Sequence, residues 1–186
     1  MYKHALAIVE RRYSASFGAQ EPELWRGPFP LHPDLVHYFQ LLGPRDASLA
    51  GVGNPFFLSG LAGLWDYQEG YRFHGQQALR DWKDDWLVIA DTGADPFIFS
   101  RATGRIFCDY HGRGRWQPRE LFPNVQLMAT SLLICGEQLE SAWLEMNADG
   151  EFPSKYRDKA LDGLRSLLAS PTDAEAVLDS LGWAKA

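Results

Sequence analysis

The stretch from Trp86 to Pro118, WLVIADTGADPFIFSRATGRIFCDYHGRGRWQP, constrains the fold of this chain more than any other. It holds three short apolar segments with strand chemistry, separated by tight turn signals. Trp86 to Ala90 is rich in β-branched and aromatic residues, which suit a pleated surface. Asp91-Thr92-Gly93-Ala94 then reads as a turn, because Asp bonds nearby backbone and Gly accepts positive φ. Pro96 to Ser100 places Phe97 and Phe99 on one face and Ile98 on the other. After Arg101-Ala102-Thr103-Gly104, the segment Arg105 to Tyr110 alternates Ile106, Cys108 and Tyr110 against Phe107 and Asp109. Two hairpins in so short a span predict an antiparallel meander.

Helical patterns surround it. Tyr2 to about Ser16 carries Leu6, Ile8, Val9 and Tyr13 on a partly apolar stripe. Pro22, Gly27, Pro28, Pro30 and Pro33 impose an extended loop, and Pro33 to Leu42 restarts a helix with Leu35, Val36, Phe39 and Leu42 inward. Arg45 to Asn54 reads as loop, Pro55 to Leu58 as a short strand and Gly60 to Tyr67 as a short helix. Gln68 to Asp85 is irregular, with Trp82 as its anchor. Val125 to Asn147 is the strongest helical pattern; Gly136 interrupts it and suggests a bend, and Asn147-Ala148-Asp149-Gly150 ends it. Pro153 to Ala169 and Pro171 to Leu181 complete the chain, with Ser170 as an N-cap and Gly182 as a terminator. The expectation is an α+β fold: a twisted, mainly antiparallel sheet with helices packed largely on one side, plus a helical C-terminal tail. The 186 residues suit a single domain, with a core about 31–146 and a helical extension about 152–183.

Charge and composition narrow the function. A formal net charge of −6 argues against direct nucleic-acid or anionic-membrane binding, which needs clustered Lys and Arg. No segment reaches the roughly 18 to 20 apolar residues of a membrane span. The N-terminal residues lack the apolar centre and cleavage site of a signal peptide, so a cytoplasmic protein is expected. Cys108 and Cys135 sit in apolar runs and read as small buried hydrophobes rather than nucleophiles.

Asp91, Asp95, Asp109 and His111 gather at the turns and ends of the meander. Asp and His ligate metals, and paired carboxylates share acid–base work. Turn geometry alone also accounts for Asp91 and Asp95, and no HExxH or Cys/His spacing accompanies them. His111-Gly112-Arg113-Gly114-Arg115 resembles a phosphate cradle but lacks GxxxxGK[ST] and leads into Trp116 and Pro118 rather than a helix. Glu145 to Tyr156 imitates a calcium loop through Asn147, Asp149 and Gly150. It has Glu145 at the first ligand position and Tyr156 at the twelfth, which excludes it. No metal or cofactor is expected.

The runs Trp86 to Ala90, Gly93-Ala94-Asp95-Pro96-Phe97-Ile98-Phe99, Thr103-Gly104-Arg105-Ile106-Phe107 and His111-Gly112 together resemble the SUKH superfamily. That group includes the yeast cell-wall-assembly regulators and many bacterial toxin-immunity proteins. Leu31-His32-Pro33-Asp34, leading to a helix that stops at Gly43, resembles the family's approach to its first core helix, and Gly60 to Tyr71 the helix and loop that follow. The resemblance spans Leu31 to Trp143. Ala94 separates Gly93 from Asp95 where the family often has Gly-Asp adjacent, and His32 stands in place of a Pro. The resemblance implies a non-catalytic protein-binding domain whose partner is a cognate toxin such as a nuclease. On that implication Asp91, Asp95, Asp109, His111, Arg113 and Trp116 are the candidate contacts. A cytoplasmic regulatory or scaffold module without a toxin partner is the alternative, and an enzyme using Asp95, Asp109 and His111 a further one.

Overall fold

The computed structural model describes residues 2–50, 54–75, 77–147 and 151–183. Helix α1 (Tyr2–Ile8) runs on through a π-helical turn at Val9–Tyr13 and a 3-10 turn at Ser14–Ser16, so the N-terminal helical pattern persists to Ser16 with three windings. Helix α2 (Pro33–Leu41) starts where Pro33 pre-sets φ, and the His32 ring accepts the Asp34 N–H at 3.2 Å. Its buried side is Leu35, Tyr38 and Phe39 followed by Leu42; Val36 is only half-buried.

Strands β1 (Ala47–Leu49), β2 (Phe56–Leu58), β5 (Trp86–Thr92), β6 (Asp95–Ser100), β7 (Ile106–Cys108) and β8 (Arg119–Phe122) form a six-stranded antiparallel sheet in the order β1-β2-β5-β6-β7-β8. The two-residue strands β3 (Phe73–His74) and β4 (Gln77–Ala78) pair separately. The meander is therefore present, and its central hairpin turns through Gly93 and Ala94, both at positive φ (58° and 73°). Positive φ at both central positions is the twist-matched geometry of a two-residue hairpin.

Side-chain alternation sorts the strands onto two covered faces. Leu87, Phe97, Phe99, Ile106 and Cys108 join the main core with residues of α1, α2 and α3 (Val125–Trp143). Trp86, Val88 and Ile98 point the other way, into a second cluster with Tyr71 and Trp82. A register shift between Val88 and Ala90 lets Ile89 and Ala90 both join the main core. The helices lie on one side of the sheet, while the irregular segment between β2 and β5 covers the other. This double coverage explains why Trp86 to Ala90 reads as continuously apolar rather than alternating.

Helix α4 (Ser154–Leu167) packs on α3 and helix α5 (Pro171–Ser180) on α4. Their inward residues Tyr156, Ala160, Leu164, Val177 and Leu178 belong to the same continuous core as the sheet. The Ser170 hydroxyl caps α5 by accepting the Thr172 N–H at 3.2 Å.

Several expectations need correction. The stretch read as loop from Arg45 contains β1, whose Ala47 and Leu49 are buried against β2. Gly60 to Tyr67 is a series of turns ending in a 3-10 turn at Asp66–Gln68 rather than a helix. Its backbone is claimed by distant side chains: Asp46 accepts the Gly60 N–H (2.9 Å) and Gln20 the Leu61 N–H (3.0 Å). Strand β8 opens with two exposed charged residues, Arg119 and Glu120, before Leu121 and Phe122, too little alternation for a strand signal in the sequence. Helix α3 ends at Trp143, short of Asn147, and Ala148, Asp149 and Gly150 lie outside the described residues. Gly136 does not end or interrupt α3. A Cβ there would sit 2.8 Å from the Leu49 Cβ, so the residue admits β1 to the helix surface. Among the described residues no helix is long and apolar enough to cross a membrane.

Candidate functional site

The ends of β5, β6 and β7 meet the loop 109–118, and all six candidate contact residues lie around that junction. Their roles differ. Asp91 follows the register shift and faces the second cluster, where its Oδ2 accepts hydrogen bonds from both Tyr67 and Tyr71, the latter at 3.1 Å. Burial, reinforced by the Asp91 hydrogen bond and charge, pushes both phenols well above their ordinary range. They are therefore permanent donors at neutral pH and not bases.

Asp95 is joined to His111. Its Oδ1 accepts the His111 backbone N–H at 2.8 Å and lies 2.7 Å from the ring Nδ1. Asp109 is buried, and its carboxylate is engaged by the loop: Oδ1 accepts the Tyr110 N–H at 2.8 Å, and Oδ2 accepts the Gln117 N–H. The Trp116 N–H donates to Asp81 at 2.6 Å. Three carboxylates, those of Asp95, Asp109 and Asp81, thus fix the backbone of a loop rich in Gly and Arg, a use of Asp that favours turns over chemistry.

Arg113 lays its guanidinium over the Tyr110 ring, 4.6 Å from its centre. Trp116 is half-buried, edge-on to Trp82 at 5.6 Å and 6.0 Å from Tyr71. The structure therefore brings Asp95 to His111 directly, and links Trp116 to Asp91 through Tyr71. Asp109 stays with the loop backbone rather than joining Asp95 and His111 in one constellation. Among the described residues no group of three or more His, Cys, Asp or Glu is arranged to hold a metal ion. Cys108 and Cys135 are unpaired and buried, and burial raises both thiols above their usual range.

Two concavities flank the junction. One of about 760 Å³ lies on the helix side, where Phe56, Thr92 and Asp95 face Trp143, Phe152 and Trp183. The other, of about 560 Å³, lies on the second face and is lined by Tyr67, Tyr71 and Trp116 with Asp66, Glu69 and His111. Asp95 and Asp91 thus serve opposite sides of one hairpin.

Sequence reading offered His111 and Trp116 but missed Tyr67, Tyr71, Asp66 and Glu69 among the residues that line the second concavity. Tyr67 and Tyr71 are four apart and accompanied by Asp66 and Glu69, an aromatic and acidic pattern that runs from the end of the stretch read as a short helix into the one read as irregular. It missed Gln68 as well, although a fully buried amide is costly unless every polar atom is used. Gln68 is 0 % exposed; its Nε2 donates to Val88 O at 2.9 Å and its Oε1 accepts the Val88 N–H at 2.9 Å. It takes the place of a further β2 residue beside β5. Arg72 and the Trp82 indole similarly donate to Trp86 O, at 3.2 and 3.3 Å. These side chains close the free stretch of β5 and hold the acidic, aromatic face in place. No protein-family model, curated protein or solved structure matches this chain.

Proposed function

We propose that this chain is a cytoplasmic, non-catalytic protein-binding domain of the SUKH-like immunity type, which binds and neutralises a cognate toxin such as a nuclease. The observation that carries this reading is the built surface at the hairpin ends. Asp109 and Asp81 hold the loop backbone, while His111, Arg113 and Arg115 stay exposed beside a half-buried Asp95 and Trp116. A surface ordered before binding loses little conformational freedom on association. A formal net charge of −6 favours fast, salt-sensitive encounter with a basic partner.

The test is capture of the partner by the tagged chain from a lysate of its native organism, followed by mass spectrometry. A stoichiometric partner bearing a toxin domain, whose activity the chain abolishes, is expected; a non-toxin partner would instead make this a regulatory module. Asp91 and Asp109 are poor probes because they organise structure, and Asp95 also holds the His111 N–H, so the informative change is Asp95→Asn, which keeps the acceptor oxygen and removes the charge. Removing this charge weakens capture about five-fold, chiefly through the association rate. Unchanged affinity in surface plasmon resonance would move the interface away from the hairpin ends.

A further inference from the structure

We propose that the concavity beneath the β5–β6 turn is an arginine-binding pocket, which takes the guanidinium of one arginine side chain of a protein partner. The inference rests on the protein-binding reading above and names the partner chemistry that this face recognises. Its walls are three mutually tilted rings. Tyr67 and Tyr71 lie 5.9 Å apart at 68°, and Tyr71 and Trp116 lie 6.0 Å apart at 48°. The concavity opens to solvent, and its volume of about 560 Å³ exceeds what one side chain's head group needs.

Charge selects the occupant. Asp66 and Glu69 line the pocket and are exposed. Glu69 Oε1 accepts the Gly75 N–H at 2.8 Å, which orients that carboxylate. Behind the rings, both tyrosine hydroxyls donate to Asp91, so a further negative charge lies beyond the aromatic walls. His111 is the titratable group with a basic side chain on the lining, and it is already bonded to Asp95. A cation over electron-rich rings with carboxylates at the edge is a favourable arrangement. A planar guanidinium satisfies it best, stacking on a ring while donating in-plane to carboxylates.

The molecule's own cations lie on other rings. Arg101 is stacked on Phe29 at 3.6 Å, Arg113 on Tyr110 at 4.6 Å and Arg72 on Trp65 at 5.7 Å. Among the described residues no Lys or Arg covers Tyr67, Tyr71 or Trp116. The aromatic walls are thus left for a cation from outside, while at the rim the Glu69 carboxylate has the His74 ring Nδ1 as a neighbour at 3.7 Å.

The experiment titrates the whole ¹⁵N-labelled chain with Nα-acetyl-arginine amide, its neutral isostere Nα-acetyl-citrulline amide, and tetramethylammonium. The Trp116 indole N–H is followed by NMR. Arginine amide is expected to shift that signal saturably, and citrulline amide to leave it in place. The double variant Asp66→Asn, Glu69→Gln changes only exposed carboxylates and weakens arginine binding by about five-fold or more. Equal shifts from citrulline amide, a response to tetramethylammonium alone, or unchanged arginine affinity in the double variant would each overturn the proposal. If arginine amide binds as expected but the chain captures no protein partner, the pocket stands and the protein-binding reading fails. If a partner is captured and the double variant alters neither capture nor arginine binding, the pocket fails and that reading survives.

Discussion

Ala94 holds a φ of 73° beside Gly93 at 58°, in a two-residue turn that favours glycine at the second position. For a residue with a Cβ that conformation costs roughly 1–2 kcal/mol, against roughly 0.5–1 kcal/mol of extra chain entropy lost on folding by a glycine. The strain outweighs the entropy. Ala94→Gly is therefore expected to stabilise the protein by about 0.5–1 kcal/mol, read as a higher urea midpoint at unchanged slope. Gln68 is the opposite case, since its amide is the partner of both polar groups of Val88. Gln68→Leu keeps the volume near its original value but leaves a buried N–H and carbonyl unpaired. The expected loss is about 2–4 kcal/mol, measurable in the same urea titration. A variant within a few tenths of the parent would mean that another donor and acceptor replace the amide.

At the scale of elements, α3 is held by contact rather than by propensity. Residues Leu127 to Gly136 are buried throughout, because the helix is enclosed by the sheet, α1 and α4. An exposed helical Gly→Ala change gains roughly 1 kcal/mol. At Gly136 the new Cβ would come within 2.8 Å of the Leu49 Cβ, and that atom is anchored to the β1 backbone. Overpacking of this kind costs about 1–3 kcal/mol, so Gly136→Ala should destabilise or at best be neutral. Thermal unfolding decides the sign. A clear rise in midpoint would show that β1 can retreat from the helix at little cost.

Over the whole molecule, Tyr2, Tyr13, Tyr38, Tyr67 and Tyr71 all have phenols raised above their ordinary range, with burial the leading cause in each. A folded-state value above the unfolded one stabilises the protein fully below the unfolded value and loses that contribution as pH rises. The unfolded phenol titrates near pH ~10. These groups therefore contribute in full up to about pH 10, and less with each step above it. Tyrosinate absorbance in an alkaline titration should show these rings ionising together with loss of near-ultraviolet circular dichroism. Smooth ionisation of all the tyrosines near pH ~10 in a still folded protein would contradict their burial.

The sequence alone determined the meander, α2, α3 and the two C-terminal helices. In each case local signals agree with the final environment: hairpin glycines, a Pro at the first turn, a Ser cap and periodic apolar residues. It also marked the hairpin ends as the place where Asp91, Asp95, Asp109, His111, Arg113 and Trp116 gather. Tertiary structure decided what each of them does, because a carboxylate that fixes a loop and one that faces a cavity have the same local spelling. Asp109 turns to its own loop through Gln117, whereas Asp91 is claimed by tyrosines 20 and 24 residues earlier in the chain. Strand β1 and the pairing of Gln68 with Val88 were equally beyond local reading. They exist only because distant chain segments supply the partners that a short strand and a buried amide require.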